Sequence, residues 1–201
     1  MNRRLAVLIS GRGSNLQSII DAIVNGVLDA KVAIVVSNRA QAAGLERASA
    51  AGITTQFLDA RAHASRDDYD TALADLLRAH DVGLVCLAGF MRLVGPRLLE
   101  AFPYRILNIH PSLLPSFPGL EAQRQALEHG VRVSGATVHL VTSELDGGPI
   151  VVQAAVPVLD DDSVESLSAR ILKEEHRIYP LAIRRVLDGA WRVEGRRFVP
   201  G

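Results

Sequence analysis

A single cysteine, Cys86, stands among the 201 residues, so no disulfide can form within the chain. It lies in the apolar run VGLVCLAG, where a thiol reads as a small buried hydrophobe, and a reducing, cytoplasmic setting is the inference. Aromatic residues make up only 4% of the chain, too few for platforms on which nucleic-acid bases stack. Net charge is missing too, with 22 Lys and Arg against 22 Asp and Glu. Nucleic-acid binders usually carry a basic excess, so no nucleic-acid partner is expected, and an anionic ligand has to be held by a local site. No apolar run reaches membrane-spanning length, so no membrane is expected either. The start, MNRRLAVLIS, pairs charge with an apolar stretch but runs into GRGSN without a small-residue cleavage site; it reads as a first strand rather than a leader. The six histidines are scattered, with no HExxH or paired-cysteine spacing, and no metal is expected.

What is present is a globular pattern. At 48% hydrophobic residues the chain buries a sizeable core, and without repeats or linkers it reads as one domain over 1–201. The runs RRLAVLIS, AKVAIVVSN, TTQFLD, VGLVCLAG and RILNIH are strands by length and branched apolar content. Between the first two, Leu16, Ile19, Ile20, Ile23 and Val27 recur at helical spacing, and Gly26 is placed to end that helix. Further helices read from GLERASAAG, RDDYDTALADLLRAH, PRLLEAF and EAQRQALEHG. Such alternation predicts an α/β fold, Rossmann-like, with a mostly parallel central sheet and helices on both faces. GATVHLVT and PIVVQAAVPV read as later strands joined by SELDGG. Asp162 followed by Glu165 predicts a capping box that opens a helix from Ser163 to about Asp188, kinked at Pro180, before a terminal hairpin in WRVEGRRFVPG.

Three places carry chemistry. GRGSNL, Gly11 to Leu16, turns the first strand into the first helix, where glycines and free N–H groups suit an anion. Leu16 occupies the sixth position of a dinucleotide fingerprint and Ser37-Asn38-Arg39 replaces its acid, so NAD fits poorly. NADP through Arg39, a phosphomonoester and a purely structural turn stay open, the phosphomonoester being the better fit. Secondly, the strand RILNIH ends on Asn108 and His110, which share one face, and three prolines in the next eight residues stiffen the loop beyond it. An amide donates to a developing oxyanion and an imidazole moves protons near neutral pH; equally, both side chains serve to satisfy loop backbone. Asp146, beside Gly147-Gly148, is placed to swing toward His110 and hold it as imidazolium. Thirdly, Glu175 interrupts the apolar stripe Val164, Leu167, Ile171, Ile178 and Ala182. A core-facing acid needs a partner, and periodicity does not choose between a structural one and a ligand.

Taken together, GRGSNL, AGFMRLV, NIHPSLLPSFPG, GATVHLVTSELDGGPI and EEHRIYP resemble the phosphoribosylglycinamide formyltransferases, the folate-dependent glycinamide ribonucleotide transformylases of purine synthesis. The resemblance runs in order along nearly the whole chain. It implies a single formyltransferase domain over 1–201, with the phosphate and nucleotide site in the N-terminal half and the folate site and catalytic loop in the C-terminal half. It also implies transfer of the formyl group of 10-formyltetrahydrofolate, a co-substrate, to the amino group of glycinamide ribonucleotide, without a metal. Asn108, His110 and Asp146 would be the catalytic set, supported by Thr137 and His139. Gly13, Ser14 and Asn15 would hold the ribonucleotide phosphate and Glu175 its ribose. Arg66 would meet the folate's glutamate tail; Met91, Arg92, Leu93 and Val94 would line the pterin slot, and Asn108 would also touch the folate. By the same likeness the Leu114–Pro115 bond would be cis and the protein cytoplasmic, with room left for a homodimer. Leu172 stands where members of the family often carry a polar residue.

Overall fold

Contacts in the computed structural model, which describes residues 2–201, gather into two compact units, residues up to Asn108 and residues from Ile109 onward. The first unit is built on β1 (Arg4–Ile9), β2 (Lys31–Ser37), β3 (Thr55–Phe57), β4 (Leu84–Leu87) and β5 (Ile106–His110), on which the chain passes into the second unit. These strands lie parallel in the order β3-β2-β1-β4-β5. Leu5 to Ile9 of β1 and all four residues of β4 are buried, which is why their sequences show no polar alternation. Cys86 is among them, buried and outside any disulfide.

Four helices connect these strands: α1 (Ser14–Val24), α2 (Ala43–Ala50), α3 (Arg66–Ala79) and α4 (Pro96–Ala101). α1 buries Asn15, Leu16, Ile19 and Ile20, and each fully buried aliphatic side chain contributes about 1.5–3 kcal/mol. The stripe expected on α1 stops early. The helix ends at Val24, Gly26 turns the chain at φ +70°, and Val27 lies past the end, exposed, while Leu28 takes the buried place. α3 is capped by Ser65, whose hydroxyl oxygen accepts the Asp68 N–H at 3.1 Å.

The second unit contains α5 (Ala122–Glu128), β6 (Val133–Leu140), β7 (Ile150–Pro157), α6 (Val164–Asp188), β8 (Trp191–Glu194) and β9 (Arg197–Pro200). β6 and β7 pair antiparallel, with a register shift at Val138/His139. β9 joins β7 in parallel at Ile150↔Arg197 and closes the expected hairpin with β8. The capping box of α6 differs from the one the sequence suggests: Ser163 and Ser166 form it reciprocally. Asp162 instead receives the Arg170 guanidinium through both oxygens. α6 runs unbroken through Pro180. The class is α/β with a mostly parallel sheet, as the alternation of elements implies.

Candidate active site

His110 ends β5 inside the second unit, 5% exposed, with both ring nitrogens committed. Its Nε2 lies 2.9 Å from the Phe117 carbonyl oxygen. A carbonyl only accepts, so Nε2 carries a proton. Nδ1 faces Oδ2 of Asp146 at 3.5 Å. The other oxygen of Asp146 lies 3.6 Å from Nε2 of His139, whose Nδ1 donates to the Leu140 carbonyl at 3.1 Å. One carboxylate therefore stands between two imidazoles, and each ring is anchored through its far nitrogen to backbone.

Loop chemistry sets this geometry. Asp146 takes the left-handed conformation, φ +49°, in the turn between β6 and β7, which costs about 1–3 kcal/mol for a residue other than glycine. Gly148, two residues on, has to be glycine, because a Cβ there would fall 1.8 Å from the Leu140 carbonyl oxygen, whereas one on Gly147 would meet only the end of the exposed Glu144 side chain. From the proline loop the Gly119 N–H donates to Asp146 Oδ2 at 2.8 Å and offsets part of the strain. That loop bends through Phe117 at φ +55° and Gly119 at φ +82°, and its Leu114–Pro115 bond is cis, as the resemblance implies. Thr137 lies one layer behind. Its hydroxyl donates to the Ser112 carbonyl at 2.7 Å and accepts the Leu114 N–H at 3.1 Å, while Gln153 donates to it at 2.9 Å. Thr137 thus fixes the proline loop rather than touching the imidazoles.

Electrostatics corrects one expectation. Burial pushes the His110 imidazole below its ordinary value, outweighing the Phe117 carbonyl and the Asp146 carboxylate, which pull the other way. His110 is therefore neutral near pH 7 in the unliganded protein and is not held as imidazolium. Burial also works to raise Asp146, but His139, the Gly119 N–H and His110 together bring it below the usual carboxylate value. The carboxylate is charged and its histidine partner is not.

Asn108 lies on β5 opposite Leu87, half-buried, two residues before His110 on the same strand. Elsewhere in the first unit, Gly13 is the N-cap of α1 at φ +74°, and Ser14 and Asn15 open the helix. Only glycine fits at 13: a Cβ there would meet the Gly44 Cα at 2.7 Å. The segment Met91–Val94 leaves Met91 57% and Leu93 61% exposed and seats the Arg92 guanidinium 4.7 Å from the centre of the Tyr69 ring. Burial raises Tyr69 to about 12 and lifts the nearby Asp70 carboxyl as well. Arg66, the first residue of α3, is exposed. In the second unit Glu175 is buried in the apolar stripe of α6, 7% exposed.

The structure brings His110, Asp146 and His139 together, with Thr137 behind them. Sequence reasoning missed Gly119 and the Phe117 carbonyl, although the Pro118-Gly119 pair is a turn signal that marks where a free N–H would be presented. Among the described residues no cluster of three or more His, Cys, Asp or Glu is placed to hold a metal, and no helix is long and apolar enough to cross a membrane.

Comparison with known proteins bears on this arrangement. The profile described as "Formyl transferase" matches residues 3–183. Phosphoribosylglycinamide formyltransferase of Escherichia coli is 48% identical over 98% of this chain and 96% of its own length. The human trifunctional purine biosynthetic protein adenosine-3 is 46% identical over 92% of this chain but only 18% of its own length. Among solved structures, glycinamide ribonucleotide transformylase 1 from Symbiobacterium toebii superposes with a TM-score of 0.97 at 59% identity, covering 99% of this chain and 94% of that one.

Proposed function

The chain belongs to the formyl transferase family, and from that premise we propose how its residues divide the work. The protein transfers the formyl group of 10-formyltetrahydrofolate to the amino group of glycinamide ribonucleotide, yielding formylglycinamide ribonucleotide and tetrahydrofolate in purine biosynthesis. The observation that carries the catalytic assignment is the Asp146 carboxylate set between His110 and His139 at 3.5 and 3.6 Å.

In the reaction the neutral amine adds to the formyl carbon, the carbon–N10 bond breaks, and one proton passes from the attacking nitrogen to N10. Asn108 donates to the oxyanion of the tetrahedral intermediate, an interaction worth about 2.7–4 kcal/mol of barrier where such donors have been removed. His110 is the second donor. While its Nε2 proton is given to the Phe117 carbonyl it has none to offer, so a ligand oxygen has to exchange with that carbonyl. The proton shed by the amine finds acceptors at Nδ1 of His110 and at Asp146, whose charge stabilises the imidazolium as it forms. His139 and Thr137 hold this set in place.

One formyltransferase domain spans 1–201 in this reading. Its N-terminal half holds the phosphate at Gly13, Ser14 and Asn15, and its C-terminal half brings the catalytic loop and Glu175 for the ribose. Arg66 takes the glutamate tail of the folate and Met91 to Val94, with Asn108, its pterin side. A cytoplasmic location and a homodimer complete the proposal.

The test is the absorbance change as 10-formyltetrahydrofolate, or its dideaza analogue, loses its formyl group with and without glycinamide ribonucleotide. Deformylation strictly dependent on the ribonucleotide is the expected result. Deformylation without it points to hydrolysis, and none in either case from folded protein removes the assignment.

A further inference from the structure

Ser10 is the first residue after β1 and one of the few buried polar side chains of the first unit, 3% exposed. Its main chain opens the glycine loop at Gly11. Its side chain does something else. The hydroxyl donates to Asn38 Oδ1 at 2.5 Å and accepts the Met91 N–H at 2.7 Å, while the Ser10 N–H donates to the Gly89 carbonyl at 3.0 Å.

Register explains why a side chain is needed. β1 and β4 pair through Leu8↔Leu87, and the ladder continues with Ala88 N–H to the Leu8 carbonyl. Gly89 then turns the chain at φ +76°. Past that turn the Met91 N–H has no strand carbonyl opposite it, and the Ser10 hydroxyl takes that place. At the far end of the segment Gly95 packs so closely on Asp70 that a Cβ would come within 2.0 Å of Oδ2. With Arg92 on the Tyr69 face, the segment is fixed at three points, yet it leaves Met91 and Leu93 turned to solvent. A segment whose backbone is held while its apolar side chains stay open is preorganised for a flat, partly apolar ligand.

We propose that Ser10 is a positioning residue for the folate: its hydroxyl fixes the Met91 amide and so sets the Met91–Val94 segment against the root of the glycine loop. The inference rests on the folate role proposed for that segment and adds a residue to which no role has been given. The same serine then belongs to both substrate loops, through its main chain to one and its side chain to the other.

The experiment compares Ser10→Ala, which removes the hydroxyl, with Ser10→Thr, which keeps it. Losing a part-buried hydrogen bond to a loop amide raises KM for the formyl folate on the order of tenfold, with kcat and KM for the ribonucleotide changed by no more than about twofold. Ser10→Thr restores most of the lost affinity. Amide hydrogen exchange read at Met91 is the second measurement: that N–H is protected relative to Arg92 and Leu93 in the wild-type protein and loses its protection in Ser10→Ala. A merely structural serine would lower the melting temperature without separating the two KM values. Both KM values rising together, a fall in kcat at constant KM, or a Met91 amide already unprotected in the wild-type protein overturns the proposal. Absence of ribonucleotide-dependent deformylation by the wild-type protein is a different failure; it removes the formyl-transfer reading, and Met91 exchange still decides whether Ser10 holds the loop.

Discussion

Replacing Asp146 by Asn tests the catalytic reading most directly, because the amide keeps the shape of the carboxylate, removes its charge and leaves one oxygen to accept the Gly119 N–H. His110 Nδ1 lies 3.5 Å from Asp146 Oδ2, and both side chains are largely buried. At an effective dielectric constant of about 20, unit charges at that separation attract by about 5 kcal/mol. His110 is neutral before reaction and becomes cationic as it accepts a proton, so the attraction is felt mainly in the transition state. At 1.36 kcal/mol per decade, kcat falls roughly 10³-fold. KM for both substrates stays within a few-fold, since the ground state never held the charge pair. The assay is ribonucleotide-dependent loss of formyl from the dideaza folate analogue at saturating substrates. Its pH profile gives a second reading. Asp146 opposes the downward push of burial on His110, so without it the His110 value drops further and the acid limb of kcat/KM moves to lower pH. Stability follows the same sign. A histidine whose folded value is depressed contributes fully above its unfolded value of about 6.5 and loses that contribution as pH falls through the folded value. The variant extends that loss to lower pH. A kcat within tenfold of wild type, or an acid limb that moves upward, would refute the reasoning.

Gly148→Ala places a methyl 1.8 Å from the Leu140 carbonyl oxygen, a backbone atom that cannot step aside, so thermal unfolding should show a loss of about 1–3 kcal/mol; an unchanged melt would mean the turn tolerates a Cβ. Glu175→Gln keeps the shape of a side chain that is 7% exposed and removes its charge, and KM for the ribonucleotide should rise on the order of tenfold with kcat little changed. Steady-state kinetics with an unaltered KM would return Glu175 to a structural role.

Legibility in the sequence tracks the range of the forces involved. Uninterrupted apolar runs such as VGLVCLAG betray strands buried on both faces, because burial acts on every residue at once. The end of α1 is harder to read: Val27 keeps the helical spacing, but Gly26 has already turned the chain, and a local backbone preference overrides periodicity. The box on α6 depends on a choice among neighbouring polar groups. Asp162 fits the pattern of a cap as well as Ser163 does, until Arg170, eight residues on, takes both its oxygens. Asn108, His110 and Asp146 stand out because polar residues at a strand end and in a glycine turn are unusual enough to be noticed singly. The Gly119 N–H, the Phe117 carbonyl and the Ser10 hydroxyl cannot stand out, since their importance lies in what the fold sets opposite them.

The charge state of His110 belongs with those invisible features, and it changes how the site works. With a carboxylate beside it the ring reads as a permanent cation, but burial decides otherwise. Neutral His110 spends its one N–H on the Phe117 carbonyl. The nitrogen it turns toward Asp146 then carries a lone pair, and a carboxylate facing that lone pair is short of a proton. Such an arrangement waits for the proton that the reaction releases. Once the amine has added to the formyl carbon, a proton arriving at Nδ1 of His110 converts a repulsive contact at 3.5 Å into an ion pair, and the site becomes most stable when the intermediate is charged.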